Sequence, residues 1–318
     1  MVDVTRGQLI IGGAFLSLFL SADGVRGQVP TPPVATFKAG VDMVRIAAVV
    51  RDNKGRFVLD LTARDFEVVD GGQTRPIADL QQDLAAISVA VLFDVSGSME
   101  GHLPNAREAA KHVLSWLDAS RDEAAVYTFD THLDERAPFT VGLRTLPDAV
   151  NSLVPFGETS LHDAIALTAR RVGEREGRRR AVVVFTDGAD NASHLKPSDV
   201  SAIASGIDVP VYIFGIVPSI DNPSAETSTH SVESIAFAGP LADLAAWTGG
   251  HVFVASTPGQ RSAAARQIID ELRHQYVIAF ESSGKPGWHP LVVRARNKDL
   301  IVRARSGYIA GQSRPTAH

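Results

Sequence analysis

Asp94, Ser96 and Ser98 stand at alternate positions in LFDVSGSM, residues 92–99. One carboxylate and two hydroxyls make an all-oxygen set, the donor chemistry of a hard cation such as Mg²⁺. Gly97, set between the serines, is expected to let the loop bend sharply. Taken alone, an Asp and two Ser after a strand are most often a turn or a helix cap. The rest of the chain has to decide. Two later stretches add oxygen donors: Thr159 in FGETSLHDAI, at a predicted helix start, and Asp187 in VVFTDGADN, at a predicted strand end. Glu100, Glu158 and Asp190 lie beside these motifs and read as solvated neighbours, while Asp163 reads as serving its own helix.

Other chemistries lack their residues. With no cysteine, disulfides, thiolate zinc sites and a cysteine nucleophile are excluded. There is no GxxxxGK[ST] loop, no GxGxxG after the first buried strand, no HExxH and no GxSxG. The ten histidines show no paired spacing. Asp94 resembles a strand-end phosphoryl acceptor, but Ser96 stands where haloacid-dehalogenase-type sites have a second acid. No general base stands out for either serine, so no enzymatic activity is expected, and a metal-dependent hydrolase ranks last. A formal net charge of -5 argues against a nucleic-acid surface.

Positioning these donors requires strands that end together. Residues 85–93 form an almost unbroken apolar run, the pattern of a strand buried on both faces of a parallel sheet. Residues 181–186 and 209–217 repeat it, with shorter strands at 124–129, 136–141 and 251–255. Helices are expected at 105–117, 145–153, 159–172, 199–206, 241–248 and 259–274, several with apolar residues on one face. The basic run Arg178-Arg179-Arg180 reads as a solvated helix end. Residues 218–239, rich in Ser, Thr, Asn and Pro, read as a long loop. Strand–helix alternation predicts a doubly wound α/β sheet, and its carboxyl edge is where a ligand crevice forms. Asp94, Ser96, Ser98, Thr159 and Asp187 would all converge there.

The flanks have a different period. Strands are expected at 41–52, 56–61 and 65–70, with a tight turn at Gly71-Gly72. After the last helix, strands are expected at 275–281, 290–296 and 300–305, the later two alternating apolar residues with arginine. Neither flank is large enough to bury a core alone, so the two are expected to pair as a smaller β-rich side domain into which the α/β unit is inserted. At the N-terminus, Arg6 precedes an apolar stretch at 9–20, and small residues follow. A stretch that short reads as an export signal, not a span, which needs about 20 residues. Cleavage is expected after Ala22 or Gly27, with the mature chain periplasmic or extracellular and without a membrane span. The absence of cysteine rules out lipoprotein attachment. The expected organisation is a signal peptide at 1–27, a Pro-rich linker at 28–34, β segments at 35–85 and 275–310 around an α/β domain at 86–274, and a tail at 311–318.

The segments LFDVSGSM, GETSLHDA and VVFTDGAD together resemble the metal-ion-dependent adhesion site (MIDAS) of von Willebrand factor type A domains. In that family DxSxS, a distant Thr and a distant Asp hold one divalent ion at the top of a Rossmann-like sheet. Asp94, Ser96, Ser98, Thr159 and Asp187 match all five positions in order. The resemblance implies Ser96, Ser98 and Thr159 as direct ligands, with Asp94 and Asp187 direct or through water. The flanking segments, such as VVRDNKGRFVLDLTARDFEVVDGG and ELRHQYVIAF, are similar to a bacterial exported subfamily; the Ser/Thr-rich loop at 218–239 departs from the pattern. The implied function is an exported adhesion or protein-binding module, its one Mg²⁺, Mn²⁺ or Ca²⁺ ion accepting an Asp or Glu from a protein partner. The alternatives are a scaffold with a stabilising cation and, less favoured, the chelatase or ATPase-partner role of some relatives.

Overall fold

The computed structural model describes residues 43–82, 85–206, 208–216, 237 and 239–310. The expected export signal, linker and tail, and most of the 218–239 loop, lie outside the described residues. In chain order the strands before the α/β region are β1 (Met43–Asp52), β2 (Phe66–Asp70), β3 (Gln73–Arg75) and β4 (Ile77–Gln81). There follow β5 (Ile87–Asp94), α1 (Leu103–Ser115), β6 (Glu123–Phe129), β7 (Leu133–Val141), α2 (Asp148–Asn151) and α3 (Leu161–Gly173). Then come β8 (Arg179–Thr186), α4 (Pro197–Gly206), β9 (Val211–Ile216), α5 (Pro240–Trp247), β10 (Val252–Ala255) and α6 (Pro258–Arg273). The chain returns to strands with β11 (Tyr276–Glu281), β12 (Gly287–Ala295), β13 (Leu300–Ala304) and β14 (Gly307–Ala310).

The expected α/β architecture is present. Six strands form one sheet in the order β10-β9-β8-β5-β6-β7, parallel except for β7 at the edge. All eight residues of β5 are buried, because helices cover both faces. Alanines and branched residues of α1 and α6 pack on one face with Val89, Val91 and Phe93. Residues of α3, α4 and α5 pack on the other with Ala90 and Leu92. In-register pairing of Phe93 with Phe185 brings the last residues of β5 and β8 level, and their rings stack at 5.3 Å, with Phe214 next in line at 5.1 Å. This aromatic row sits directly below the loops that carry Asp94 and Asp187. Rigid packing beneath a site fixes the geometry above it.

The flanks pair across the chain. One four-stranded sheet has the order β13-β1-β11-β4 and the other β14-β12-β2-β3, each mixing strands from the two ends of the sequence. Their inner faces share a third core of Ile46, Val50, Phe66, Val68, Tyr276, Ile278 and Phe280. Both flanking segments therefore contribute strands to each of these sheets, as expected from their pairing.

Several local expectations change. Residues 56–61 form no strand: only Phe57 makes an isolated bridge, to Arg51. The Tyr276 hydroxyl takes the place of a ladder there, accepting from Leu61 N at 3.1 Å and donating to Val58 O at 2.9 Å. The helix expected over 145–153 shrinks to α2, because the Arg107 guanidinium captures the carbonyls of Val150 and Leu153. Arg178-Arg179-Arg180 is not a solvated helix end. Arg179 and Arg180 open β8, Arg179 is buried, and Arg178 donates to Arg121 O at 2.7 Å. The Arg178 guanidinium lies 3.7 Å from the Glu123 carboxylate, an acid distant in sequence, while Arg180 donates to Gly173 O at 2.7 Å.

Candidate metal centre

Asp94 is the last residue of β5 and is fully buried. Its carboxylate accepts from Ser96 N at 3.0 Å and from Ser96 Oγ at 2.5 Å on one oxygen, and from Thr186 Oγ1 at 2.7 Å on the other. Ser96 Oγ lies 3.2 Å from Ser98 Oγ. The DxSxS residues are thus in direct contact. The cap reading fails for Ser96: it occupies the N-cap position of the short 3₁₀ turn Gly97–Met99, but its side chain makes no capping bond and faces Asp94. Ser96 is buried and Ser98 exposed, so the oxygen cluster opens to solvent on one side.

Burial drives the Asp94 carboxyl up to about 6, against hydrogen bonds from Ser96 and Thr186 that pull it down, and the nearby Asp187 charge raises it further. No cationic side chain pairs with Asp94 among the described residues. Buried carboxylates are normally paired or coordinate a metal.

The other two predicted residues arrive on neighbouring loops. Phe156 N donates to Val95 O at 2.9 Å and Gly97 N to Gly157 O at 3.0 Å, which lays the segment before Thr159 along the Asp94 loop. Thr159 is not in a helix as expected; α3 begins at Leu161, and Thr159 is buried in the loop before it. Its carbonyl accepts from Asn191 N and Ala192 N at 3.0 Å, and its N–H donates to Asn191 Oδ1 at 2.7 Å. The loop that carries Asp187 is thereby fastened to Thr159 through main-chain groups. Asp187 itself accepts from Ala189 N at 3.1 Å. Among the left-handed residues at this edge are Gly157 (φ 88°) and Gly188 (φ 93°), whereas Gly97, expected to supply the bend, is not left-handed. A side chain at either left-handed position would strain the turn.

Two acids have other roles than expected. Asp190 is not a solvated neighbour: its Oδ2 accepts from His162 N at 2.9 Å and pairs with His162 Nδ1 at 2.6 Å. With Ser193 Oγ, which accepts from Asp163 N at 3.2 Å, it satisfies the free amides at the start of α3. Asp163 does not serve its own helix but holds the loop between β8 and α4, accepting from His194 N at 3.0 Å and Leu195 N at 2.9 Å. Sequence reasoning missed Thr186, whose hydroxyl also accepts from Gly188 N at 3.0 Å. Its signal was a lone polar residue closing an apolar strand just before Asp187.

The donor set fits a hard divalent cation. It offers carboxylate and hydroxyl oxygens without nitrogen or sulfur, and its buried carboxylate lacks an internal counter-charge. Among the described residues no group of three or more His, Asp or Glu is gathered as a metal site, and this centre, with two acids, relies on hydroxyls for its other oxygens.

No curated protein sequence matches the chain. Among solved structures it is similar to an aerotolerance-related membrane protein from Bacteroides fragilis (19% identity, 59% of this chain and 98% of that one, TM-score 0.47). It is also similar to a von Willebrand factor type A protein from Catenulispora acidiphila (14% identity, 87% and 76%, TM-score 0.47). A third is proximal thread matrix protein 1 from the mussel byssus, solved with a zinc-occupied MIDAS motif (19% identity, 64% and 50%, TM-score 0.43). The family comparison covers the whole α/β unit, residues 88–271, more than half of the 318-residue chain. Sheet order, helical layers and that match agree: the chain belongs to the von Willebrand factor type A domain family.

Proposed function

We propose that this protein is a non-enzymatic binding module that uses one divalent cation to grip an acidic group on a protein partner. The observation that carries the reading is Asp94, a fully buried carboxylate held only by hydroxyls and one amide, beside a second acid and below a solvent-open Ser98. Asp94, Ser96, Ser98, Thr159 and Asp187 would hold the ion, as the family resemblance implies. When bound, it supplies the missing positive charge and a coordination place for one further hard oxygen. Mg²⁺, Mn²⁺ and Ca²⁺ all accept such oxygens.

The chain's own residues do the rest. Thr186 and Ser96 fix the orientation of the Asp94 carboxylate, and the Gly157 and Gly188 turns set the loops around it. The exposure of Ser98 favours binding over a purely structural ion, which would be enclosed. Export to the periplasm or outside the cell, with residues 1–27 removed, belongs to the same proposal and is supported by the apolar N-terminal stretch.

A short synthetic peptide with one Asp tests the reading. It is expected to bind the full chain in Mg²⁺, to be released by EDTA, and to be ignored by Asp94→Asn. Stabilisation by Mg²⁺ with no peptide bound would transfer the site to the scaffold alternative.

A further inference from the structure

The surface beside the candidate metal centre carries side chains at odds with a solvated loop. Val154 is 81% exposed and Phe156 80%, more than any other large apolar residue among the described residues. Their segment is nevertheless fastened at both ends. The Arg107 guanidinium holds Leu153 O at 2.8 Å, and Phe156 N and Gly157 O bond to the Asp94 loop. Pro155 between them restricts the backbone further. An apolar pair held out in water on an ordered loop marks an interaction surface. Two exposed acids border it: Glu158 follows Gly157, and Glu100 ends the turn that carries Ser98. Neither is held in an ion pair among the described residues.

We infer that Val154, Phe156, Glu158 and Glu100 select which acidic segment the protein binds. The partner is a polypeptide stretch with one Asp or Glu for the cation, a large apolar side chain for Val154 and Phe156, and a Lys or Arg for the two glutamates. This inference rests on the metal-dependent reading above and adds specificity to it. A carboxylate alone is present on every acidic surface, so discrimination must come from the groups around it. An exposed aromatic residue is the type that dominates binding energy once desolvated. The acidic rim repels a segment of several carboxylates and rewards one that carries a compensating base.

Four synthetic peptides in one Gly/Ser background test it against the full chain by fluorescence anisotropy, in Mg²⁺ and in EDTA. They carry Asp alone, Asp with Phe two residues away, Asp with that Phe and a Lys on the other side, and the last with Asn for Asp. The Asp–Phe–Lys peptide is expected to bind roughly tenfold tighter than Asp alone. Phe156→Ser should erase the gain from Phe and Glu158→Gln the gain from Lys, while calorimetry shows Mg²⁺ binding retained in both. Mg²⁺-dependent binding that ignores Phe and Lys, or variants that match the wild type, would overturn this inference alone. If no peptide binds in Mg²⁺, the metal-grip reading fails and the inference with it.

Discussion

The two ends of the α/β sheet treat buried acids in opposite ways. At the amino-terminal end of the strands each buried carboxylate has arginine. Glu123 takes a two-pronged contact from Arg175, both bonds 2.7 Å, with Arg178 at 3.7 Å. Asp122 bonds Arg273 at 2.7 Å while accepting from Ile87 N and Asp118 N. Glu271, fully buried near the end of α6, pairs with Arg51 at 3.0 Å and with Arg303 of β13. At the carboxyl end Asp94 is as deeply buried but meets only hydroxyls, one amide and the charge of Asp187. The same chain thus completes its electrostatics internally at one end and leaves them incomplete at the other. An end designed only for stability would look like the first, since unpaired buried charge is costly.

The comparison can be broken most forcefully at the paired end. Arg303→Met leaves Glu271 short of counter-charge and is expected to cost about 3 kcal/mol of unfolding free energy, read by urea denaturation. Asp94→Asn, measured in EDTA, is expected to cost less than about 1 kcal/mol, since the amide can donate to the Thr186 hydroxyl in place of the bond it loses. Equal losses at the two sites would mean that Asp94 is already satisfied. Next in size is the response to metal. At a Mg²⁺ concentration about one hundred times Kd, the wild type should gain about 2.7 kcal/mol, and Asp94→Asn nothing.

Acid titration sharpens the contrast because the two ends have opposite signs. Burial raises the folded Asp94 carboxyl to about 6 from 3.8. In metal-free protein its contribution is therefore fully present below about 3.8 and lost as pH rises through about 6. Glu123 is held below 4.5: desolvation pushes it up, but the bonds from Arg175 and Ser88 and the Arg178 charge outweigh that. Its contribution is present above 4.5 and lost as pH falls through the folded value. In EDTA, Asp94→Asn should flatten the fall in stability toward pH 6, and Glu123→Gln should remove part of the acid-induced loss. Stability curves against pH with slopes of one sign at both sites would contradict the assignment. The most local effect is expected at Asp163→Ala, about 1 kcal/mol, with faster amide exchange at His194 and Leu195.

What the sequence made legible follows the same division. Asp94, Ser96 and Ser98 fall within five residues at the end of a strand buried on both faces, so local pattern alone places them at a sheet edge. Asp187 was visible for the same reason, at the end of β8. The partners that complete each end were not, because they come from far along the chain. The counter-charges of Arg178 and Arg175 sit on Glu123, about fifty residues away, so the basic run looked solvated. Asp190 and Ser193 satisfy amides of a helix that starts some thirty residues earlier, a need invisible in their own neighbourhood. The short edge strands β3 and β4 gave no signal, since QTR and IADLQ are largely exposed and lack alternation. Cross-chain pairing of the flanks was inferred from their size, not from any motif.

Calorimetric titration of Mg²⁺ into metal-free protein, with Asp94→Asn and Arg303→Met alongside, tests the central claim most directly. The account predicts one ion per chain in the wild type, none in Asp94→Asn, and binding retained in folded Arg303→Met. A folded wild type that binds no ion, or an Asp94→Asn that binds as well as the wild type, would contradict it.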